Sequence, residues 1–173
     1  NWEGDALSIA HGVAQQSKKA FDSYQLVTDL QPGVYKLRVQ GFSRAAALTD
    51  EAVYADGLLS DDLLRNSYIY AESDGVRFSR RMMDITAQAQ DRKVNGGKDE
   101  FELPNQKYVP NSAEAAAVYF AKGKYWNKPL YLAVTADTIR VGIRNSFAQT
   151  NNWTVADRWR LEYVPPLICF DIF

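Results

Sequence analysis

Apolar and polar residues alternate most clearly between residues 33 and 44, in the sequence GVYKLRVQGFSR. Tyr35, Leu37 and Val39 are separated by polar residues at the intervening positions. Because successive side chains of a β-strand point to opposite faces, this pattern predicts a strand with one buried and one solvated face. We expect the three apolar side chains to lie in the core.

A second run precedes this strand and places Tyr24, Leu26 and Leu30 on one face, also predicted to be buried. Pro32 followed by Gly33 suits a type II turn between the two runs. The runs form either a tight hairpin or an arch that carries the chain to a second sheet. A type II turn twists the wrong way for a tight hairpin, so the arch and a β-sandwich are favoured.

Further strands are predicted wherever apolar residues alternate between turn signals. Asp74 and Gly75 form a strong turn signal, and the runs on either side of them predict a hairpin. Residues 44–66 and 87–105 lack such a pattern and are predicted to be loops, the first with a short helix and the second mobile. The additional predicted strands are residues 6–10, 67–73, 76–85, 128–136, 138–145 and 153–164.

One short helix is predicted near residues 112–122, in a sequence rich in alanine. Asn111 or Ser112 can cap its N-terminus, alanine favours helix, and Gly123 ends it. The sequence therefore predicts an all-β protein with a single helix.

The composition fits one globular domain with a large core. The chain has 173 residues, of which 46% are hydrophobic and 13% aromatic. Its formal net charge of −1 favours neither nucleic acid nor an anionic membrane as a partner. No apolar run approaches the roughly 20 residues of a membrane-spanning helix, so membrane insertion is not expected. The sequence shows no signal peptide, and its N-terminus therefore does not indicate a location.

Several stretches, taken in order, are similar to one known family. The chain resembles the galactose-binding-like, carbohydrate-binding-module-like β-sandwich domains of surface and secreted proteins of gut Bacteroidetes, over residues 15–163. The sequence departs from the family pattern at 136–138 and at 158–159. The stretches that carry the resemblance are FDSYQLVTDLQPGVYKLRVQGFSR, SYIYAES, KYVPNSAEAAAVYFAKGKYWNKPLYLAV, TIRVGIRN and NNWTVADRWRLEY.

This resemblance implies a jelly-roll β-sandwich of two antiparallel sheets in residues 1–164, followed by a tail or linker in 165–173. It implies a secreted, periplasmic or cell-surface location and neighbouring domains in a longer chain. Members of this broad fold often bind carbohydrate, and many have no known ligand, so the fold favours sugar binding without establishing it.

Sandwiches of the kind that this sequence resembles often hold a structural calcium ion near the start and end of the domain. Asp157, with Glu3 or Asp5, could supply carboxylate ligands for it. The simpler interpretation is that Asp157 caps or hydrogen-bonds a loop, and the sequence favours it because no calcium-loop motif is present. No other cofactor is expected.

Catalysis is not expected. A serine or cysteine triad needs a histidine base, but the single histidine, His11, lies in a poorly patterned segment. The single cysteine, Cys169, lies in an apolar tail, where a thiol behaves as an inert apolar group. Glycoside hydrolysis needs a pair of carboxylates, and no pair is distinguished by its spacing.

Sugar recognition combines aromatic rings, which stack on pyranose C–H faces, with amides and arginines that bind hydroxyl groups. Such groups usually lie on loops carried by a rigid scaffold. Two tryptophans stand beside polar loops, and arginine or asparagine ends two of the strands. The predicted glycan-binding residues are Arg44, Trp126, Arg144, Asn145, Asn151 and Trp153.

Two functional hypotheses follow. The first is a non-catalytic module that binds a glycan through these residues. The second is a spacer or protein-interaction domain without a sugar ligand, which would present a convex surface with no polar groove. Trp153 could instead be a core residue, and Arg144 could lie on a solvated sheet face.

Overall fold

The protein is a β-sandwich with one helix. The computed structural model describes residues 2–166, so Cys169 and most of the 165–173 tail lie outside the described residues. Short 3-10 turns occupy Ala55–Gly57, Asp62–Leu64 and Ile85–Gln88. The strands and the helix are β1 (Glu3–Gly4), β2 (Ser8–Ala10), β3 (Val13–Ser17), β4 (Phe21–Val27), β5 (Gly33–Arg44), β6 (Ser67–Ser73), β7 (Val76–Arg81), β8 (Glu100–Glu102), β9 (Tyr108–Pro110), α1 (Ala113–Ala121), β10 (Leu130–Val134), β11 (Ile139–Asn145) and β12 (Trp153–Val164).

Two five-stranded antiparallel sheets form the sandwich. The first has the order β1-β4-β11-β6-β7 and the second β10-β5-β12-β3-β2, while β8 and β9 form a separate ribbon. The longest pairing joins β5 and β12 in the centre of the second sheet, with a bulge between Asp157 and Arg160. The predicted all-β sandwich with a helix near 112–122 is confirmed.

The chain crosses between the sheets at the connection from β4 to β5, so the predicted arch is confirmed. Tyr35, Leu37 and Val39 are 6%, 2% and 0% exposed, as the alternation predicts. The predicted type II turn is wrong, because Gly33 has a φ of 154° and begins β5. A Cβ at this position would contact the ring of Tyr163, which would have to move to make room for it.

The predicted buried face of β4 is wrong for two of its residues. Phe21 and Ser23 face the core, while Tyr24 and Leu26 lie on the outer face of the first sheet. The Arg140 guanidinium lies 4.3 Å from the centre of the Tyr24 ring and covers it. An outward tyrosine is stable in this setting because its face interacts with a cation.

Tyr70 lies on the outer face of the first sheet and is nevertheless buried by the side chains around it. Tyr70 on β6 is 0% exposed, although it points away from the sheet interface. Its ring lies over Gly142 of β11, and its hydroxyl donates a 2.6 Å hydrogen bond to Asp22 on β4. Arg77 covers it at 4.2 Å.

The core has two parts. One lies between the sheets, and the other lies beneath α1 at one end of the sandwich. Ser112 caps α1 by accepting a 3.1 Å hydrogen bond from the Ala115 N–H, and Gly123 follows the helix with a φ of 75°. The aromatic residues of the second part are Phe42, Tyr54, Tyr119, Phe120, Tyr125 and Trp153.

The segment 87–105 is more regular than the predicted mobile loop. It contains β8, which pairs with β9, and a bridge between Gln90 and Tyr108. The Glu100 carboxylate accepts three backbone N–H groups and the Tyr119 hydroxyl. These contacts fasten the segment to α1.

Candidate functional site

A polar concavity lies where β5 ends, β12 begins and α1 is capped. Its volume is about 230 Å³. We call it the loop-end groove. Its lining residues are Gln15, Ser17, Lys18, Arg44, Asn111, Ser112, Ala113, Asn151, Asn152 and Trp153.

Arg44 is the central cation of the groove. As the last residue of β5, it pairs with Trp153 on β12, and its Cζ lies 5.4 Å from the centre of the indole ring. Its Nη1 donates a 2.8 Å hydrogen bond to Asn111 Oδ1. Burial lowers the pKa of Arg44, but a guanidinium stays charged at physiological pH. Arg44 therefore offers fixed, charged donors to a ligand.

Trp153 forms the floor of the groove and is also part of the core. Its side chain packs on Phe42 with ring centroids 5.3 Å apart, and the residue is only 7% exposed. The indole Nε1 donates to Gln15 Oε1 at 2.8 Å. A ligand can therefore reach only a small part of this ring.

The loop before β12 is shaped by two asparagines. Asn151 has a φ of 63°, a left-handed conformation that asparagine tolerates better than most residues. Asn152 is buried, and its Oδ1 accepts the Lys18 N–H at 2.5 Å, which joins the loop to the turn after β3. The Asn151 side chain makes no hydrogen bond to any residue in 2–166, so its amide can bind a ligand.

A second concavity adjoins the first. It has a volume of about 320 Å³ and shares Arg44, Asn111 and Asn151 with the loop-end groove. We call it the side concavity. Its other lining residues are Ala47, Leu48, Thr49 and Phe101. The three shared polar residues therefore stand between two spaces that one extended ligand could occupy.

Trp126, also predicted to bind the ligand, lies outside both concavities. It forms a bridge with Gln40 of β5, and its ring has arginine neighbours. The guanidinium carbons of Arg38 and Arg160 lie 4.6 and 5.4 Å from its centroid. Arginines thus occupy the ring surface that a sugar would need.

Arg144 and Asn145 lie at the end of β11, beside a shallow concavity of about 310 Å³ that shares no residue with the loop-end groove. Asn145 is buried, and its Nδ2 donates to the Lys19 carbonyl at 2.9 Å. Arg144 lies over Tyr68 at 5.1 Å. Asn145 therefore has a structural contact that the sequence pattern did not indicate.

The predicted calcium ligands lie on different sheets. Glu3 is on β1, and Asp157 is on β12, where its Oδ1 accepts the Arg158 N–H at 2.7 Å. Trp2 and Trp159 bring these segments together with ring centroids 5.2 Å apart. Within residues 2–166, no group of three or more histidine, cysteine, aspartate or glutamate side chains could hold a metal ion. Calcium binding stays a prediction.

Several groove residues had no functional signal in the sequence. Asn111 and Ser112 were interpreted only as helix caps, although Asn111 also binds Arg44. Gln15 lies in β3, and Lys18 directly follows this strand. β3 pairs with β12, which comes from the other end of the chain. Only the fold brings these residues together.

No helix in the described part of the chain is long and apolar enough to cross a membrane.

No protein-family model and no curated protein matches the chain. Among solved structures, the carbohydrate-binding module TmCBM61, in complex with β-1,4-galactotriose, is similar at 11% identity and a TM-score of 0.42, covering 95% of this chain and 88% of the module. The GH115 4-O-methyl-α-glucuronidase BtGH115A, with specificity for decorated arabinogalactans, is similar at 9% identity and a TM-score of 0.45, covering 94% of this chain and 16% of that enzyme.

Proposed function

We propose that the loop-end groove and the side concavity bind a glycan without catalysing a reaction. The observation that carries this proposal is the position of Arg44, Asn111 and Asn151 between the two spaces. Amides and a guanidinium present paired donors and acceptors, which suit the hydroxyl groups of a sugar.

Apolar contacts in the two spaces are few. Trp153 is mostly buried, and Phe101 is partly buried in the side concavity. An aromatic contact contributes only about 0.5–1.5 kcal/mol beyond burial. We therefore expect dissociation constants between about 1 μM and 1 mM.

The lining residues support binding without catalysis. None of the residues that line the two spaces is an aspartate, glutamate, histidine or cysteine. Glycoside hydrolysis needs two carboxylates beside the scissile bond. The polar lining also favours glycan binding over the spacer hypothesis, which expects no polar groove.

The proposal also covers the location, the neighbouring domains and the origin of the protein, which the sequence resemblance supports. This resemblance supports a secreted, periplasmic or cell-surface location, a place beside other domains in a longer chain, and an origin in Bacteroidetes.

The test is a glycan array followed by calorimetric titration of the best oligosaccharide. We expect Arg44→Ala to weaken binding by about 10- to 150-fold, because a hydrogen bond to a charged group contributes about 1.5–3 kcal/mol. Arg92, which is exposed and lines neither space, supplies the matched control Arg92→Ala, which should bind as the wild type does. If Arg44→Ala does not fold, Asn111→Ala replaces it. The proposal fails if no glycan binds, or if neither groove variant weakens binding.

A further inference from the structure

A larger concavity, of about 560 Å³, lies at the side of the sandwich where the edge strands β7 and β10 run next to each other. It shares no residue with the loop-end groove or the side concavity. We call it the basic concavity. Its lining residues are Arg65, Ser79, Arg80, Arg81, Met83, Asn127 and Lys128.

Four of these seven lining residues are cationic, and none is acidic. They come from three separate segments. Arg65 lies two residues before β6, Arg80 and Arg81 end β7, and Lys128 lies two residues before β10. The whole chain has a net charge of −1, so this concentration of positive charge is local. Local positive charge of this kind favours an anionic ligand.

Two of the arginines are held in place by neighbouring groups. Arg65 Nη2 lies 2.7 Å from Asp62 Oδ2, and Arg81 donates to the Asp62 carbonyl at 3.3 Å and to the Tyr68 hydroxyl at 3.4 Å. Arg65 Nε is buried and has no hydrogen-bond partner within residues 2–166. A guanidinium that is already oriented loses little freedom when it binds an oxyanion.

The other two cations have no acidic partner. Arg80 and Lys128 are exposed, and neither forms an ion pair within residues 2–166. Asp62 pairs with Arg65, and Asp62 and Asp61 also act on the charge of Arg81. This leaves Arg80 and Lys128 as cations without a carboxylate partner within residues 2–166, and two such charges beside one space fit a ligand that carries more than one anionic group.

The shape and lining of the concavity narrow the class of ligand. Its volume lies within the usual range of about 300–1,000 Å³ for ligand pockets and leaves room for a short oligosaccharide. No aromatic side chain lines it, so neither nucleic-acid bases nor a pyranose face would stack there, and a ligand would bind chiefly through its anionic groups. Met83 is the only apolar lining residue, so peptide side chains would find little to bind.

We propose that the basic concavity binds the carboxylate or sulfate groups of an acidic oligosaccharide. Both groups are oxyanions that arginine binds through two parallel hydrogen bonds. Arg65 and Arg81 are the oriented arginines, and Arg80 and Lys128 supply further positive charge. This site is separate from the glycan site proposed above and does not depend on it.

The test is an amide chemical-shift titration of the whole protein with an oligogalacturonate, a sulfated heparin oligosaccharide, a neutral galacto-oligosaccharide and a single-stranded oligonucleotide. We expect one or both acidic sugars to shift the amides of residues 79–81 and 127–128, and the affinity to fall as salt is added. Tighter binding of the oligogalacturonate, whose only anionic groups are carboxylates, identifies carboxylate as the oxyanion. Because heparin carries both groups, sulfate is identified if heparin binds more tightly and a desulfated heparin oligosaccharide does not. The double variant Arg80→Ala/Lys128→Ala should weaken this binding by about tenfold.

The matched control is Arg92→Ala/Lys93→Ala, which removes two exposed cations elsewhere and should leave the affinity unchanged. The inference is overturned if neither acidic sugar binds, if the double variant binds as tightly as the control, or if the oligonucleotide binds most tightly. A ligand that shifts only the amides of residues 111–113 and 151–153 would support the loop-end groove and overturn the basic concavity. The two proposals can therefore fail independently.

Discussion

Position 142 in β11 requires glycine because the ring of Tyr70 packs directly against its backbone. A Cβ at this position would come within 2.6 Å of the Tyr70 hydroxyl oxygen, and the ring could not reach Asp22. We expect Gly142→Ala to destabilise the protein by about 1–3 kcal/mol, because overpacking forces side chains or backbone to move. Urea unfolding monitored by circular dichroism measures this loss.

The control for this prediction is Gly142→Ala made in a Tyr70→Ala variant, which lacks the tyrosine ring. In a Tyr70→Ala background, the added methyl group meets an open space, so Gly142→Ala should cost much less. An equal cost in both backgrounds would contradict the steric explanation.

At the scale of elements, one carboxylate joins the segment before β8 to the helix. Burial raises the pKa of Glu100, but hydrogen bonds from the Val94 N–H, the Tyr119 hydroxyl, the Gly97 N–H and the Asn95 N–H outweigh burial, so the pKa is lowered. A carboxyl group with a lowered pKa stabilises the fold above the pKa of the unfolded chain. This contribution is lost as the pH falls through the folded pKa.

We therefore expect Glu100→Gln to lower the free energy of unfolding by about 1–3 kcal/mol near pH 7. The difference from the wild type should shrink as the pH falls below the ordinary glutamate value of 4.5. Urea unfolding across this pH range tests both statements. Glu51→Gln, at an exposed position, is the control and should show no such dependence. A difference that stays constant with pH would count against the carboxylate as the cause.

For the whole molecule, the pairing of β5 with β12 is the structural centre. Each strand has 12 residues, and together they link the core between the sheets to the core beneath α1. Amides in these strands and in β11 should exchange with solvent most slowly, because they open only when both sheets separate. The edge strands β1, β2 and β7 should exchange fastest. Hydrogen exchange followed by NMR measures the order, and equal protection of edge and central strands would disprove it.

Local patterns predicted the parts of the fold that depend on one sheet face or one helix. Alternation located Tyr35, Leu37 and Val39 in the core, and the alanine run with Ser112 located α1. The same reasoning failed for Tyr24, because a cation from a neighbouring strand covers its outward face. Hydrophobic periodicity does not reveal that a side chain from a neighbouring strand will shield an outward-facing aromatic ring.

The candidate sites were less predictable than the fold because they join distant segments. Arg44, Asn151 and Trp153 were predicted as ligand-binding residues and line one groove, but Asn111 was not. The basic concavity draws its cations from residues 65, 80, 81 and 128, which no spacing in the sequence connects. Such sites can be identified only once the order and pairing of the strands in the two sheets are known.

The different surroundings of the tryptophans make them natural optical reporters. Trp153 lies under Arg44 on the floor of the loop-end groove, Trp126 has Arg38 and Arg160 against its ring, and Trp2 packs on Trp159. Indole emission depends on nearby charge and on contact with water. A ligand that displaces water from above Trp153 would therefore change the intrinsic fluorescence without any attached dye, and replacing one indole at a time would show which ring responds.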